Sequence, residues 1–254
     1  MMSASVSFTN LILFLLSCQT AYCSITFDKV DDLINCGSAA SLDNLDLSGT
    51  GISISFWYNP TDSGEAGFGE PVSKNTSGLD GSGFWEIFHN SDVTTLCFKK
   101  DYVTADIVHC TAASTFTASV WQHIVMTWDG STTATNILFY RDGVEVSYLS
   151  TGTNGSGAKN SDAARIFIIG NRSNAGLTVS GLITEVAAFN KVLSQNEISQ
   201  LYGGSSVPKG LPMSIMSDTS LKGYWKMNER ASLTVPTANG QVLEINSNKV
   251  EIRG

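Results

Sequence analysis

The chain has 254 residues and carries 15 lysines and arginines against 23 aspartates and glutamates, a formal net charge of −8. Charged residues make up only 15 % of it, whereas glycine, serine, threonine and asparagine are abundant, as is typical of short strands joined by turns. Nucleic acid and anionic membrane surfaces bind clustered lysine and arginine, so the acidic composition argues against both as partners. The length suits one large β domain or two smaller ones.

Residues 1–23 have the pattern of a targeting segment. The apolar run “NLILFLLS” is too short to span a bilayer, and Ala21 and Cys23 suit a cleavage site directly after them. Two alternatives stay open: lipid attachment at Cys18, and a misplaced start upstream of a non-secreted domain, since no basic residue precedes Lys29. We expect a cleaved leader, no membrane insertion beyond it, and a secreted or cell-surface protein.

Apolar and polar residues alternate along the chain after this segment. In “GISISFWYN”, Ile52, Ile54 and Phe56 fall on one face of a strand, and Ser53 and Ser55 fall on the other. Further strand-like runs are “SITFDK”, “DLINC”, “GFWEIFHN”, “TTLCFKK”, “TADIVHCT”, “SVWQHIVMTWDG”, “NILFYRDGVEVSYL”, “RIFIIG” and “GLITEVAAF”. So many short strands with few helices between them predict an all-β protein, an antiparallel sandwich or barrel.

Two features predict how neighbouring strands pair. Asp142-Gly143 separates two alternating runs and supplies the positive φ angles of a type I′ turn, which predicts a hairpin. Cys97 and Cys110 lie in two strand-like runs joined by a short turn, so a hairpin would place them opposite each other. A cross-strand disulfide and two buried free thiols are both open interpretations.

One short helix is predicted near residue 200. Ser194 and Glu197 have the spacing of a capping box, Ile198 and Leu201 form part of an apolar stripe, and Gly203 allows a left-handed stop. We expect this helix to cover one edge of the sandwich.

The chain changes in character after residue 204. “GGSSVPKGLPMS” reads as a linker, and the segments “LKGYWKMNE” and “GQVLEINSNKVEIRG” predict about three further strands, too few for a core of their own. We therefore divide the chain into a leader (1–23), a β domain (24–204) and a linker with C-terminal strands (205–254), an extension or a partial second module.

Four stretches together resemble one known family. “FDKVDDLINCG”, “LSGTGISISFWYNP”, “WQHIVMTWDGSTTATNILFYRDGVEV” and “GLITEVAAFNKVLSQNEISQLY” resemble, in this order, the motifs of LamG-like jelly-roll domains of the concanavalin A-like lectin/glucanase superfamily. The resemblance covers roughly residues 25–203 and implies a two-sheet antiparallel jelly-roll sandwich. “LKGYWKMNE” resembles a segment that links tandem LamG-like modules in bacterial surface and phage virion proteins.

The resemblance also implies a structural calcium ion near the N-terminal strand. Thr184 stands where relatives often have an aspartate ligand, but Glu185 follows it, and Asp28, Asp31 and Asp32 cluster in the segment expected beside it. Calcium binds six to eight oxygen atoms, usually with several carboxylates. We expect Asp28, Asp31 and Glu185 as metal ligands, with Ca²⁺ as the candidate cofactor.

The alternative for Glu185 is an internal partner, either a basic residue or backbone amides. An isolated buried carboxylate is costly. Lys191 and Arg172 are the candidate partners of Glu185 in that case.

No catalytic residues are predicted. Hydrolases of the superfamily carry several acids on one strand, whereas here Glu86 stands alone in its strand and alternation places Glu145 on a solvated face. His89, His109 and His123 lie in strand-like runs without metal-ligand spacing, and we expect structural roles for them.

The resemblance and the polar loops favour binding over catalysis. Residues 61–83 and 150–164 supply hydroxyl and amide groups, and Phe68 and Trp85 are nearby aromatics, although we expect Trp85 in the core. We therefore predict a non-catalytic adhesion or carbohydrate-recognition module on a secreted, surface or virion-associated protein, with a glycan or a surface protein as partner. The alternatives are a structural spacer without a small ligand and, third, a glycan hydrolase.

Overall fold

A computed structural model describes residues 24–46, 51–75 and 83–227, together with the backbone of strands at 233–236, 242–246 and 249–253. The predicted leader, residues 1–23, lies outside the described residues. Residues Ser24–Met227 form one compact unit. No helix within the described part of the chain is long and apolar enough to cross a membrane.

Two antiparallel sheets face each other in this unit. The seven-stranded sheet contains β1 (Ile25–Asp28), β3 (Ile52–Asp62), β8 (Gln122–Trp128), β9 (Ile137–Arg141), β10 (Val144–Glu145), β12 (Ser180–Phe189) and β13 (Leu221–Trp225). Its order is β1-β12-β3-β8-β9-β10, with β13 also paired to β12.

The second sheet has six strands. They are β2 (Ile34–Asn35), β4 (Val72–Asn75), β5 (Trp85–His89), β6 (Leu96–Lys100), β7 (Ile107–Cys110) and β11 (Ile166–Ile169), in the order β2-β11-β4-β5-β6-β7. These pairings confirm the predicted all-β class and the antiparallel two-sheet jelly-roll sandwich, which the inward-facing apolar side chains of both sheets fill.

The predicted hairpin and cross-strand pairing are present. Asp142 and Gly143 have φ angles of 52° and 81° between β9 and β10, as a type I′ turn requires. Cys97 and Cys110 lie directly opposite each other on β6 and β7 and form a disulfide. The thiol of Cys36 is free, and burial raises its pKa to about 12.

The helix α1 (Gln195–Tyr202) has the predicted capping box, in which Ser194 and Glu197 bond each other's backbone and side-chain groups. It packs on the outer face of the seven-stranded sheet, against an apolar cluster that contains Val125, Phe189 and Leu201. These strands are central in the sheet, so the helix covers a face and not the predicted edge. The cover also explains why the serine face of β3 is buried.

The chain beyond residue 204 continues in the same compact unit. A short second helix, α2 (Met213–Met216), places Ile215 in the cluster under α1, and β13 pairs with β12. Strand pairing therefore extends the unit from the predicted boundary at 204 to residue 227. Beyond it, β14 (Leu233–Pro236), β15 (Val242–Asn246) and β16 (Lys249–Arg253) form a separate three-stranded antiparallel sheet.

Candidate functional site

The outer face of the six-stranded sheet carries charged and aromatic side chains around β5. Trp85 and Ile87 point inward and are buried, so strand alternation turns Glu86 and Phe88 outward. Glu86 lies opposite Lys99 on β6. This face therefore presents an acid, a base and an aromatic ring side by side.

Two loops, one after β3 and one after β11, meet at the rim of this face. Glu70 donates its backbone N–H to the carbonyl of Leu177 over 2.9 Å. Gly64 has a φ of +76°, and a Cβ at this position would come 2.6 Å from the carbonyl oxygen of Thr178. Glycine thus permits the close approach of the loops, which brings Glu70 and Arg172 to the same pocket.

Asn171 organises the loop that carries Arg172. Its Oδ1 accepts the backbone N–H groups of Arg172 and Leu177 at 2.8 and 2.9 Å, and its Nδ2 donates to the carbonyl of Asp32 at 3.0 Å. The Arg172 Nε donates to Asn174 Oδ1 at 2.9 Å. The guanidinium is therefore held by its own loop, which limits its movement at the pocket rim.

The loops and the sheet enclose a pocket of about 300 Å³. We call it the outer-sheet pocket, and its lining includes Phe68, Glu70, Phe84, Glu86, Lys99 and Arg172. Phe68 exposes 38 % of its surface, so an aromatic ring is available to a ligand.

Glu70 is fully buried, and neither of its carboxyl oxygens has a hydrogen-bond partner of good geometry among the described residues. The side chains of Ser73 and Glu86 are near enough to affect its pKa, but the Ser73 hydroxyl donates to the carbonyl of Asn171 at 2.9 Å. Burial raises its pKa well above the usual range, the charge of nearby Glu86 raises it further, and Arg172 lowers it.

Burial also raises the pKa of Glu86, while Lys99 lowers it. Glu86 is the one acid of its strand, as predicted, but the fold brings the carboxyl group of Glu70 beside it from a loop.

The two basic residues of the pocket have different surroundings. The Lys99 ammonium lies 3.1 Å from Asp106 Oδ2 and 4.9 Å from the ring centre of Phe84. Arg172 has no ion pair among the described residues, and it acts on both Glu70 and Glu86 electrostatically. Both cations therefore face the carboxyl pair: Arg172 lowers the pKa of Glu70, and Lys99 lowers that of Glu86 more than Arg172 does.

Two of the three predicted metal ligands come together. Asp28 and Asp31 lie with Asp32, and one carboxyl oxygen of each is within 4.8 Å of the others. Oxygen atoms suit calcium, but Asp28 Oδ1 also accepts the backbone N–H of Val30, and Asp32 Oδ2 that of Asp28. Three acids supply only part of a calcium shell, and calcium binding here stays a prediction.

Glu185 does not join this group. Asp28 pairs with Ser180, and Glu185 is five residues further along β12, about 16 Å at the rise of an extended strand. Its carboxyl group accepts a hydrogen bond from the hydroxyl of Tyr224. The suggested partner Lys191 forms ion pairs with Glu197 and Asp218 instead. Burial raises the pKa of Glu185, and the Tyr224 bond lowers it.

The three histidines and Trp85 are all buried, as expected: His89, His109 and Trp85 lie between the sheets, and His123 lies on the outer face of the seven-stranded sheet beneath α1. The Trp85 indole donates to Asp162 Oδ2 at 3.2 Å. His123 lies 2.9 Å from Ser55 Oγ, and burial lowers its pKa to about 3. His89 lies 3.0 Å from the hydroxyl of Tyr58, and burial lowers its pKa to about 4. His109 contacts two backbone carbonyls.

A second, shallower groove of about 440 Å³ lies beside the β9–β10 hairpin. Its charged residues are already engaged: Arg141 donates to the carbonyl of Thr115, and Glu145 accepts from the hydroxyl of Tyr148. The exposure of Glu145 agrees with its predicted solvated position. The outer-sheet pocket is the stronger candidate, because it contains a buried carboxyl group without a partner.

Sequence reasoning missed Glu70 and Arg172. Both lie in loops, where no periodicity reports which way a side chain points, and about a hundred residues separate them in the chain. The one signal in the sequence was Glu86, an isolated acid in a strand, and it does not indicate which distant residues would lie beside it.

A comparison with curated protein sequences gave no match. Among solved structures, a “putative carbohydrate binding protein” from Bacteroides ovatus is 12 % identical with a TM-score of 0.51, covering 91 % of this chain and 59 % of its own. A heptameric SAP-like pentraxin from Limulus polyphemus is 12 % identical with a TM-score of 0.43, and the match covers 80 % of this chain and 82 % of the pentraxin chain. The CBM40 of a Ruminococcus gnavus IT-sialidase, bound to α2,3-sialyllactose, is 11 % identical with a TM-score of 0.48, and the match covers 71 % of this chain and 96 % of the CBM40 chain.

At such low sequence identities, the similarity to these solved structures shows the fold alone. A laminin G family profile, described as “Concanavalin A-like lectin/glucanases superfamily”, matches residues 35–199, which is more than half of the chain. It spans strands of both sheets and the start of α1. The predicted resemblance is confirmed, and this chain belongs to the concanavalin A-like lectin/glucanases superfamily.

Proposed function

We propose that this protein is a non-catalytic carbohydrate-recognition module and that its ligand binds in the outer-sheet pocket. The observation that carries the proposal is Glu70, a buried carboxyl group that lines the pocket without a hydrogen-bond partner among the described residues. Buried polar groups are normally paired, so an unpaired one beside a cavity points to a ligand that completes it.

The pocket has the two kinds of surface that a sugar requires. Phe68, Phe84 and Phe88 provide aromatic carbon surface for the C–H face of a ring. Glu70, Glu86 and the amide of Asn75 provide polar groups for hydroxyls. The superfamily and the name of the similar Bacteroides ovatus protein support the same class of ligand.

The second candidate function is glycan hydrolysis, because two carboxyl groups with raised pKa lie in one pocket. Hydrolysis requires two acids that flank the scissile bond, one as proton donor and one as nucleophile or base. Glu70 and Glu86 instead lie next to each other, and Glu70 is fully buried. This arrangement suits hydrogen bonding to a ligand better than bond cleavage.

A glycan array with the purified protein tests the proposal, run once with Ca²⁺ and once with a chelator. We expect saturable binding that free sugar inhibits, that is lost in Glu86→Gln and that is kept in Glu145→Gln, a control outside the pocket. Binding that disappears with the chelator would support the Asp28–Asp31 metal site. No binding across the array would favour the spacer interpretation.

The same purified proteins also distinguish glycan hydrolysis from non-catalytic binding. Release of reducing ends from a β-glucan by the wild type, lost in Glu86→Gln, would establish hydrolysis and refute the non-catalytic proposal. The disulfide between Cys97 and Cys110 supports the further proposal of a secreted or surface location, since disulfides persist in oxidising compartments.

A further inference from the structure

We infer that the outer-sheet pocket binds an uncharged sugar ring, whose hydroxyl groups donate to Glu70 and Glu86, and that it discriminates against acidic saccharides. The inference rests on the proposed function and specifies its ligand class. It follows from the charges, the unpaired acceptors and the size of the pocket.

The charges that face the pocket balance. Two carboxyl groups, Glu70 and Glu86, line the pocket beside each other. Two basic side chains, Lys99 and Arg172, line the same pocket. The acidic and basic groups are therefore equal in number, so the lining has no excess of one sign with which to attract an ion.

A charged ligand, whether anionic or cationic, would meet a group of the same charge in the pocket. A carboxylate on the ligand would approach Arg172 but would also lie against the negatively charged pair, and it would lose its hydration on entry. An ammonium group would approach the pair but would lie against Arg172. An uncharged ligand avoids both costs.

The unpaired atoms require hydrogen-bond donors. Both oxygens of Glu70 are buried without partners among the described residues. A carboxylate has no hydrogen to donate, whereas each sugar hydroxyl both donates and accepts. Hydroxyl groups can therefore bond the carboxyl oxygens while a ring or hydroxyl oxygen accepts from Arg172.

The size of the pocket indicates a single ring. Its volume of about 300 Å³ is at the lower end of the range of roughly 300–1,000 Å³ for small-ligand sites. Phe68, exposed at its edge, can cover the apolar face of that ring. We therefore expect a terminal sugar residue to be recognised.

The experiment uses matched pairs of methyl glycosides: glucoside with glucuronide, galactoside with galacturonide, and mannoside with a mannuronide. Each pair differs only in whether the ring carries a neutral CH₂OH group or a carboxylate. Titration calorimetry on the full-length protein is expected to show at least one neutral glycoside binding at least tenfold more tightly than its uronide.

Three variants place this binding in the pocket. Glu70→Gln and Glu86→Gln, each checked for folding by thermal unfolding, are expected to weaken the neutral glycoside at least tenfold. Glu145→Gln is expected to bind it unchanged. Either pocket variant suffices if the other does not fold.

Two results overturn the inference. A uronide that binds as tightly as its neutral partner, with that binding lost in Glu86→Gln, refutes the uncharged ligand but leaves carbohydrate recognition standing. Absence of binding by every neutral glycoside also refutes it, and the proposed function itself fails only if the glycan array shows no binding either.

Discussion

At the scale of single residues, the inside of the sandwich contains a lysine that is completely buried. Lys74 on β4 points inward, and its ammonium donates to the carbonyl of Leu42 at 2.7 Å, to Asp43 at 2.8 Å and to Asp162 at 2.9 Å. The Trp85 indole donates to the second oxygen of Asp162. Every hydrogen of the ammonium thus has an acceptor, which is the condition for burying a charge.

Replacement of this lysine should therefore destabilise the fold. We expect Lys74→Met to lower the free energy of unfolding by about 3–5 kcal/mol, because Asp162 would remain as a buried charge without its cation. The control is Lys29→Met, which removes an exposed ion pair with Asp62 and should cost about 1 kcal/mol or less. Urea unfolding of both variants measures the difference, and equal costs would contradict the structural role of Lys74.

Buried His123 should make stability depend on pH. Burial lowers its pKa from 6.5 to about 3 in the folded protein. Below pH 6.5 the unfolded chain therefore takes up a proton that the folded protein does not, so this contribution to stability is complete above pH 6.5 and is lost as pH falls towards 3.

The variant His123→Gln isolates this contribution from the carboxyl pair, whose raised pKa acts in the opposite direction. We expect the difference in unfolding free energy between wild type and His123→Gln to shrink by roughly 1.4 kcal/mol per pH unit between pH 6 and pH 4. Denaturant unfolding at several pH values measures it. A difference that stays constant over this range would show that the histidine is not held neutral.

At the scale of elements, β12 joins two parts of the seven-stranded sheet along one edge. Its residues 180–183 pair with β1, and its residues 186–189 pair with β13. Between them the register against β3 shifts, and Glu185 has a φ of 55°. This bulge turns Glu185 towards Tyr224 of β13, so its role is the junction between strands and not the predicted metal site.

The helix that covers the sheet should depend on its cap. Ser194 accepts the backbone N–H of Glu197, and we expect Ser194→Ala to lower the free energy of unfolding by about 1 kcal/mol. Ser199→Ala, on the exposed side of the same helix, is the matched control and should change it by less than about 0.5 kcal/mol. Thermal and urea unfolding compare the two, and an equal effect would mean that the cap does not stabilise the fold.

At the scale of the whole molecule, the segment after α1 completes the sandwich. Trp225 on β13 stacks on Phe167 of the opposite sheet, with ring centres 4.5 Å apart. Ile215 enters the apolar cluster beneath α1. Both contacts lie beyond residue 204, where the sequence pattern suggested that the domain ends.

Two truncated proteins test this boundary. A chain of residues 24–204 loses β13 and the buried side chain of Ile215, so it should be less stable than a chain of residues 24–227 by at least about 2 kcal/mol, the lower end of the cost of truncating a buried isoleucine. Thermal unfolding followed by circular dichroism provides the comparison. Equal melting temperatures would place the boundary at 204 after all.

The local features of the fold could be predicted because they depend on neighbours in the chain. The alternation around Ile54, the turn at Asp142-Gly143 and the cap at Ser194 each use residues within a few positions of one another. The binding pocket could not be predicted in this way. Glu70 and Arg172 meet because β4 pairs with β11 and their flanking loops touch, which no local pattern reports.

By itself, the sequence determined the all-β class, the superfamily and the placement of most strands, since side-chain periodicity and turn chemistry are properties of short segments. Tertiary structure alone decided which charges share a site. It separated Glu185 from Asp28, and it brought Glu70 beside Glu86. The physical reason is that electrostatic coupling and burial depend on distances across paired strands, and strand register sets those distances only after the whole sandwich has formed.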